Sequence, residues 1–343
     1  MEIGAREIMF VSQWIPLSDS SSTAEARRVG ARMAAELGLD ETKAGEAAVI
    51  ITEAARNAVV YGGGGQVLLS GVKSSSGSHM DILALDRGPG IADLTHALQD
   101  GYSTGGTPGT GLGAIRRMAQ VFDVFSSAKG TALFARVVQA EASQEARSAV
   151  NFSAFTAPYP GETACGDNIS WVITGDRCIV LVVDGLGHGP QAAEAADEAV
   201  RIFQAYSSDA PASIITRLHD ALKQARGAAA AVAEIRPLAG ALVYAGVGNI
   251  AGSILSNTLS RSLVSHNGTL GHVMARVQEF KAEWPKDGIL IMHSDGLQSR
   301  WDLSRYPGLL AKQPALIAGV LLRDFRRERD DASVLVMKGA AAI

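Results

Sequence analysis

Apolar and polar positions along the chain sort into two successive blocks, each mixing strand periods with helical ones. Residues 8–15 read as a strand stopped by Pro16, and 23–37 as a helix stopped by Gly38. Asp40 is placed to cap a second helix, from 41 to about 60. Ala47, Ile50, Ile51, Ala54, Ala58 and Val59 give its apolar face, while Glu53 and Asn57, four apart, share another side. After Gly62 to Gly65, residues 66–73 and 79–85 read as paired strands across a serine-rich turn. A loop rich in Gly, Ser and Thr, 100–110, leads to Gly111-Leu112-Gly113, which opens a helix to Gln120. Strands at 121–126 and 131–138 close the block.

Residues 139–150 are polar and alanine-rich; they read as a linker, or as a terminal helix packed on one domain. The second block has strands near 168–174, 178–183, 228–235, 241–245, 250–255, 289–293 and 333–337. Its helices are expected at 191–206, 212–226 and 306–328. The pattern implies two α/β (α+β) domains, 1–138 and 151–343, without internal repeats.

A length of 343 residues agrees with two domains, and 47% hydrophobic against 19% charged content supports two packed cores. The net charge of −4, with no basic run, argues against nucleic acid or an anionic membrane as partner. Cys165 and Cys178 make neither a disulfide framework nor a zinc quartet, and read as packing residues in a reducing cytoplasm. No signal pattern and no apolar run of about 20 residues is seen, so a cytoplasmic location is expected. Oligomeric state is not legible.

Chemistry concentrates in two places. In the first block, Asn57 on a helix, Asp86 at a strand end and a Gly/Thr loop entering a helix N-terminus form one set. Helix N-termini and Gly-rich loops offer free amides to phosphate. A neutral oxygen such as that of Asn57 suits Mg²⁺, and an acid one turn away, Glu53, can serve an attacking hydroxyl as base. No GxxxxGK[ST] is present, and Gly109-Thr110-Gly111-Leu112-Gly113 follows a loop rather than a strand, which excludes a P-loop and a dinucleotide turn.

This set resembles the GHKL ATPase superfamily: Glu53-Ala54-Ala55-Arg56-Asn57 its N box, Asp86-Arg87-Gly88-Pro89-Gly90-Ile91 its first glycine box, and 104–113 its lid and second glycine box. Small size, without a phosphoacceptor-histidine helix pair, points to the anti-sigma-factor serine kinase branch. The resemblance implies that Asn57 holds Mg²⁺, Glu53 is the catalytic base and Asp86 binds adenine. It implies that Gly88, Gly90, Thr104, Gly105, Gly106, Gly109, Thr110, Gly111, Leu112 and Gly113 line an ATP site. The implied substrate is a serine or threonine of a STAS-domain antagonist.

In the second block, acids recur at strand ends: Asp167, Asp184, Asp295 and Asp330. Asp184-Gly185 opens the turn Leu186-Gly187-His188-Gly189-Pro190, which is either a divalent-cation loop or an ordinary tight turn. Clustered carboxylates need cations, and an oxygen-only set favours Mg²⁺ or Mn²⁺ over zinc. Paired ions of this kind activate water for in-line displacement at phosphorus. His188 either hydrogen-bonds phosphate or a metal-bound water, or faces solvent.

These elements resemble the metal-dependent PPM (type 2C) protein phosphatases, in the sporulation stage II E branch. The resemblance implies metal ligation by Asp167, Asp184, Asp295, Asp330 and the Gly185 carbonyl, with Asp184 at the catalytic centre and Asp331 a less certain neighbour. Cys165 and Ile169-Ser170 depart from the branch pattern around Asp167. Together the two resemblances imply a kinase fused to a phosphatase, both acting on STAS-domain anti-anti-sigma or stressosome-type proteins in bacterial partner switching. The alternative is an ATP-dependent partner-binding module joined to a phosphatase, without kinase output.

Overall fold

The computed structural model describes residues 9–74, 77–98, 111–139, 150–274 and 276–339. The expected lid positions Thr104, Gly105, Gly106, Gly109 and Thr110, and nearly all of the expected linker, lie outside them. The described residues fall into two compact units: 9–139 with 302–324, and 150–301 with 325–339.

The first unit opens with β1 (Met9–Leu17), α1 (Ser20–Leu37) and α2 (Glu41–Val60). Asp19 caps α1, its Oδ1 accepting from the amides of Ser21 and Ser22, and Gly38 ends it at φ 70. Asp40 caps α2 through the Lys43 amide. The chain continues through β2 (Gly65–Ser74), β3 (Gly77–Asp86), a short α3 (Leu94–Ala97), α4 (Gly111–Met118), β4 (Val121–Ser127) and β5 (Gly130–Val138). The five strands form one antiparallel sheet in the order β1-β2-β3-β5-β4. Val67, Leu69, Ile82 and Ala84 face α1 and α2, packing with Val29, Met33, Ile50, Ile51 and Ala54. The alternate residues Leu68, Leu83 and Leu85 are also buried, so this sheet is covered on both faces.

The second unit runs through β6 (Val150–Ala157), β7 (Asp167–Thr174), β8 (Arg177–Gly185), α5 (Pro190–Ala205), α6 (Pro211–Ala221), β9 (Ala228–Arg236), β10 (Ala241–Val247) and β11 (Ala251–Leu255). It continues with β12 (Ser260–Leu263), β13 (Gly268–Thr269), β14 (Val273–Met274), β15 (Phe280–Glu283), β16 (Ile289–His293) and β17 (Ala332–Gly339). Two five-stranded sheets result, β15-β10-β9-β8-β7 and β12-β11-β16-β17-β6. Ile179, Leu181 and Val183 of β8 pack under α5 and α6, against Ala195, Ala199, Phe203, Ile214 and Leu218. Val180 and Val182, on the opposite face, are equally buried. Trp171 of β7 meets Phe152 of β6 edge to face, ring centroids 4.8 Å apart.

The helix expected over 306–328 is shorter: α7 spans Pro314–Phe325, preceded by 3-10 turns at Leu303–Arg305 and Leu309–Ala311. Gly308 turns at φ 81, and Pro314, lacking an amide hydrogen, fits only a first helical turn. By backbone contacts, residues 302–324 group with the first unit. A Cβ on Gly319 would lie 2.9 Å from Leu85 and 3.0 Å from Leu83, which places α7 directly on the outer face of β3. Lys312 pairs with Asp123 at 2.9 Å, and the Gln313 amide donates to the same carboxylate. The apolar outer face of the sheet requires cover, and this nearly all-apolar segment supplies it.

Candidate active sites

The first site gathers on α2, β3 and the start of α4. A Cβ added at Gly111 would lie 2.8 Å from Glu53 Oε2 and within 4 Å of the Asn57 amide. Glu53 and Asn57 therefore both stand against the N-terminus of α4, as their spacing requires. Gly113 and Leu112 follow in the first turn, Gly113 buried and Leu112 packed on the core.

Asp86 ends β3. Its Oδ1 accepts from the amides of Gly88, at 2.9 Å, and Thr131, at 3.1 Å. Burial raises its pKa, against the pull of those two bonds. Both of these bonds fall on Oδ1 and neither on Oδ2. Gly88 sits where a Cβ would strike Gly62 at 2.7 Å, and Gly90, at φ +79, where one would strike the Ser127 carbonyl. Sequence reading missed Arg323, which donates to the Asp86 carbonyl at 3.3 Å, while Arg87 donates to the Arg323 carbonyl. No local pattern links residues so far apart in the chain.

The second site forms at one end of β7, β8, β16 and β17. Asp167 and Asp184 are partners in register across β7 and β8. Burial raises the Asp167 carboxyl to about 7, and Asp331 and Asp330 add to the rise. Burial, then the charges of Asp167, Asp295, Asp330 and Asp331, raises Asp184 to about 9. Asp330 and Asp331 are raised for the same first reason. Asp331 also ties the loops together, its Oδ1 accepting from the Tyr159 amide at 2.7 Å. A Cβ on Gly296 would lie 1.8 Å from the Asp331 carbonyl, so the turn after Asp295 rests on the start of β17. Gly185 likewise admits no side chain, because the Ala192 carbonyl would be 2.2 Å away. These contacts bring all four expected acids and Gly185 to one place.

Both Asp167 carboxylate oxygens are buried without a well-formed hydrogen bond, although the Ser294 and Ser333 hydroxyls lie near enough to oppose the pKa rise. An orphaned buried carboxylate among like charges is a donor set that fits a hard divalent cation. Among the described residues no three His, Cys, Asp or Glu side chains close into a preformed cage. Arg326, also missed from sequence, stands in the field of Asp331, Asp167 and Asp330, and donates to the Pro158 carbonyl. The Cys165 thiol is pushed well up by burial and by these acids, and the Cys178 thiol by burial to about 12, in keeping with packing roles.

Fold and sites together define a two-domain protein, an ATPase-type unit joined to a type 2C phosphatase-type unit. Residues 17–137 match the family "Histidine kinase-like ATPase domain", and residues 174–339 match "Stage II sporulation protein E (SpoIIE)". The serine/threonine-protein kinase RsbT of Bacillus subtilis is 36% identical over 103 residues, 30% of this chain and 77% of its own length. The phosphoserine phosphatase RsbX of the same organism is 29% identical over 140 residues, 40% of this chain and 69% of its own. A solved structure from work on the bacterial stressosome as a modular system is 28% identical, covering 55% of this chain and 99% of its own, with a TM-score of 0.52. The crystal structure of RsbX in complex with magnesium shares the fold at 24% identity and TM-score 0.50, over 55% of this chain and 94% of its own. The chain belongs to the RsbT family of histidine kinase-like ATPases through its first domain, and joins to it a SpoIIE-type phosphatase domain. Among the described residues no helix is long and apolar enough to cross a membrane.

Proposed function

We propose that the protein is a bifunctional regulator of partner switching, which phosphorylates a serine or threonine of a STAS-domain protein and removes the same phosphate. The observation that carries this reading is the presence, in one chain, of the Glu53–Asn57–Gly111 juxtaposition and the acid cluster around Asp167 and Asp184. In the first unit Asn57 holds Mg²⁺ with ATP, Asp86 takes the adenine amino group, and Glu53 accepts the proton of the attacking hydroxyl. The glycines at 88, 90, 111 and 113 let backbone approach the nucleotide.

In the second unit Asp167, Asp184, Asp295, Asp330 and the Gly185 carbonyl hold Mg²⁺ or Mn²⁺. When bound, such ions polarise the phosphoryl group and activate water. The protein orients the phosphoserine against the cluster. RsbT and RsbX are named for opposing reactions, which supports a shared substrate for the two halves. The stressosome structure supports partners of that kind.

The test is intact-mass analysis of a STAS-domain protein from the same genome, incubated with this chain, ATP and Mg²⁺. A gain of one phosphate, lost in Glu53→Ala, is expected. ATP binding without any transfer would leave the first unit as a partner-binding module and the phosphatase as the sole enzyme.

A further inference from the structure

β16 ends on a buried histidine, His293, directly before the turn that carries Asp295. Two bonds fix its ring. Nδ1 lies 2.7 Å from the Ser294 carbonyl oxygen, and the Trp301 indole Nε1 lies 3.0 Å from Nε2. The two rings meet at an edge, centroids 6.2 Å apart and planes at 66°. An indole N–H only donates, and a carbonyl oxygen only accepts. Nε2 is therefore the bare nitrogen and Nδ1 carries the proton, so the ring is neutral and held in one tautomer by its two partners.

Ser294 links that ring to the acids. Its carbonyl accepts from Nδ1 and from the Leu297 amide, the latter at 3.3 Å, which closes the turn over Asp295 and Gly296. Its amide donates to the Ser333 carbonyl at 3.2 Å, and its Oγ accepts from the Ser333 amide at 3.0 Å. The same hydroxyl lies near the Asp167 carboxylate. One residue thus ties β16 to β17 and stands beside two acids of the cluster. Gln298, Ser299 and Arg300 are exposed, and Trp301 ties the end of that stretch back onto β16.

We propose that Trp301 and His293 are positioning residues for Asp295. The indole donor holds His293 in the Nδ1–H tautomer, and that proton holds the Ser294 carbonyl and with it the turn that keeps Asp295 in the cluster. The inference rests on the phosphatase reading above, in which Asp295 holds a divalent cation. Without the indole donor, Nε2 is free to take the proton. Nδ1 then becomes an acceptor facing a carbonyl oxygen, the two repel, and the turn shifts. Groups that orient a metal's ligands in this way set its affinity as well as their geometry.

Calorimetric Mn²⁺ titration of the metal-free full chain tests this, with thermal melts of the same samples. Trp301→Phe keeps an aromatic ring and loses the donor, and Mn²⁺ affinity should fall about tenfold or more. His293→Leu leaves Ser294 without its donor and should lose as much. His293→Asn places an amide N–H where Nδ1–H stands and needs no partner to keep it there. It should stay within about threefold of the wild-type affinity, although its smaller side chain leaves a cavity and lowers Tm. Added to Trp301→Phe, it should recover most of the lost affinity. Nitrogen NMR of histidine-labelled wild type should show the His293 signal, identified by its absence in His293→Asn, as the Nδ1–H tautomer. Wild-type affinity in Trp301→Phe, an affinity that merely follows Tm across the series, or an Nε2–H tautomer in the wild type would overturn the proposal. Absence of Mn²⁺ binding and of Mn²⁺-dependent turnover of a phosphoserine peptide by the wild type would instead remove the phosphatase reading on which it stands.

Discussion

Asp167 and Asp184 occupy partner positions on the adjacent antiparallel strands β7 and β8, so the backbone holds two acids together whatever their charge. Their pKa values show the cost. Asp184 rises from 3.8 to about 9 and Asp167 to about 7, burial being the larger cause in each.

A pH dependence of stability follows. Between 3.8 and about 9 the folded pair retains protons that the unfolded chain has released. The unfolded state binds fewer, so the pair's contribution to stability falls as pH rises through that window. Thermal melts of metal-free protein should show a declining Tm from pH 5 to 9, and Mg²⁺ or Mn²⁺ at pH 8 should restore it. A Tm indifferent to divalent cations at pH 8 would contradict the clustering argument.

Asp184→Asn replaces a carboxyl that the fold holds protonated at pH 8, its pKa being raised to about 9. The metal-free variant should melt at or above the wild-type temperature at pH 8, while Mn²⁺-dependent phosphate release is abolished. ATP binding, measured by fluorescent-nucleotide titration, should persist, because Asn57 and Asp86 belong to the other unit. Retained turnover at saturating Mn²⁺ would refute the role given to Asp184.

Gly111→Ala places a methyl group 2.8 Å from Glu53 Oε2, at the movable end of a side chain. The fold should survive and Glu53 should shift. Phosphotransfer should fall by about ten- to a hundredfold, as expected when a base is misplaced, with a smaller change in ATP affinity. Single-turnover transfer compared with nucleotide titration separates the two effects.

Gly319→Val tests the docking of α7. Helix propensity alone favours valine over glycine by a few tenths of a kcal/mol. Packing predicts the reverse, because the new side chain meets Leu83 and Leu85 at about 3 Å. A loss of about 1–3 kcal/mol in denaturant unfolding is expected, typical of overpacking. A stabilised variant would show that α7 does not sit on the sheet.

Much of the framework was legible because burial and chemistry coincide along the chain. The unbroken run Cys178 to Val183 marks a strand buried on both faces, and Asp40 announces α2 by the bond it makes. β6 escaped notice because Ser153 and Thr156 occupy buried positions and blur its apolar pattern. Apolar spacing continues on both sides of α7, but Pro314 confines the helix to Pro314–Phe325. Glu162 and His188 could not be paired from sequence: they meet only through the loops before β7 and after β8, 26 positions apart. Arg323 was invisible for the same reason, its contact with Asp86 depending on where α7 docks.

The central claim is that one chain writes and erases the same phosphate. The most direct measurement is steady-state release of inorganic phosphate from the γ-position of ATP, in the presence of a STAS-domain protein, Mg²⁺ and Mn²⁺. Release should continue well beyond one phosphate per STAS molecule and depend strictly on that protein. Asn57→Ala should abolish release, and Asp184→Asn should load one phosphate onto each STAS molecule and release none. Release that proceeds at the wild-type rate in Asp184→Asn, or without the STAS protein, would contradict this claim.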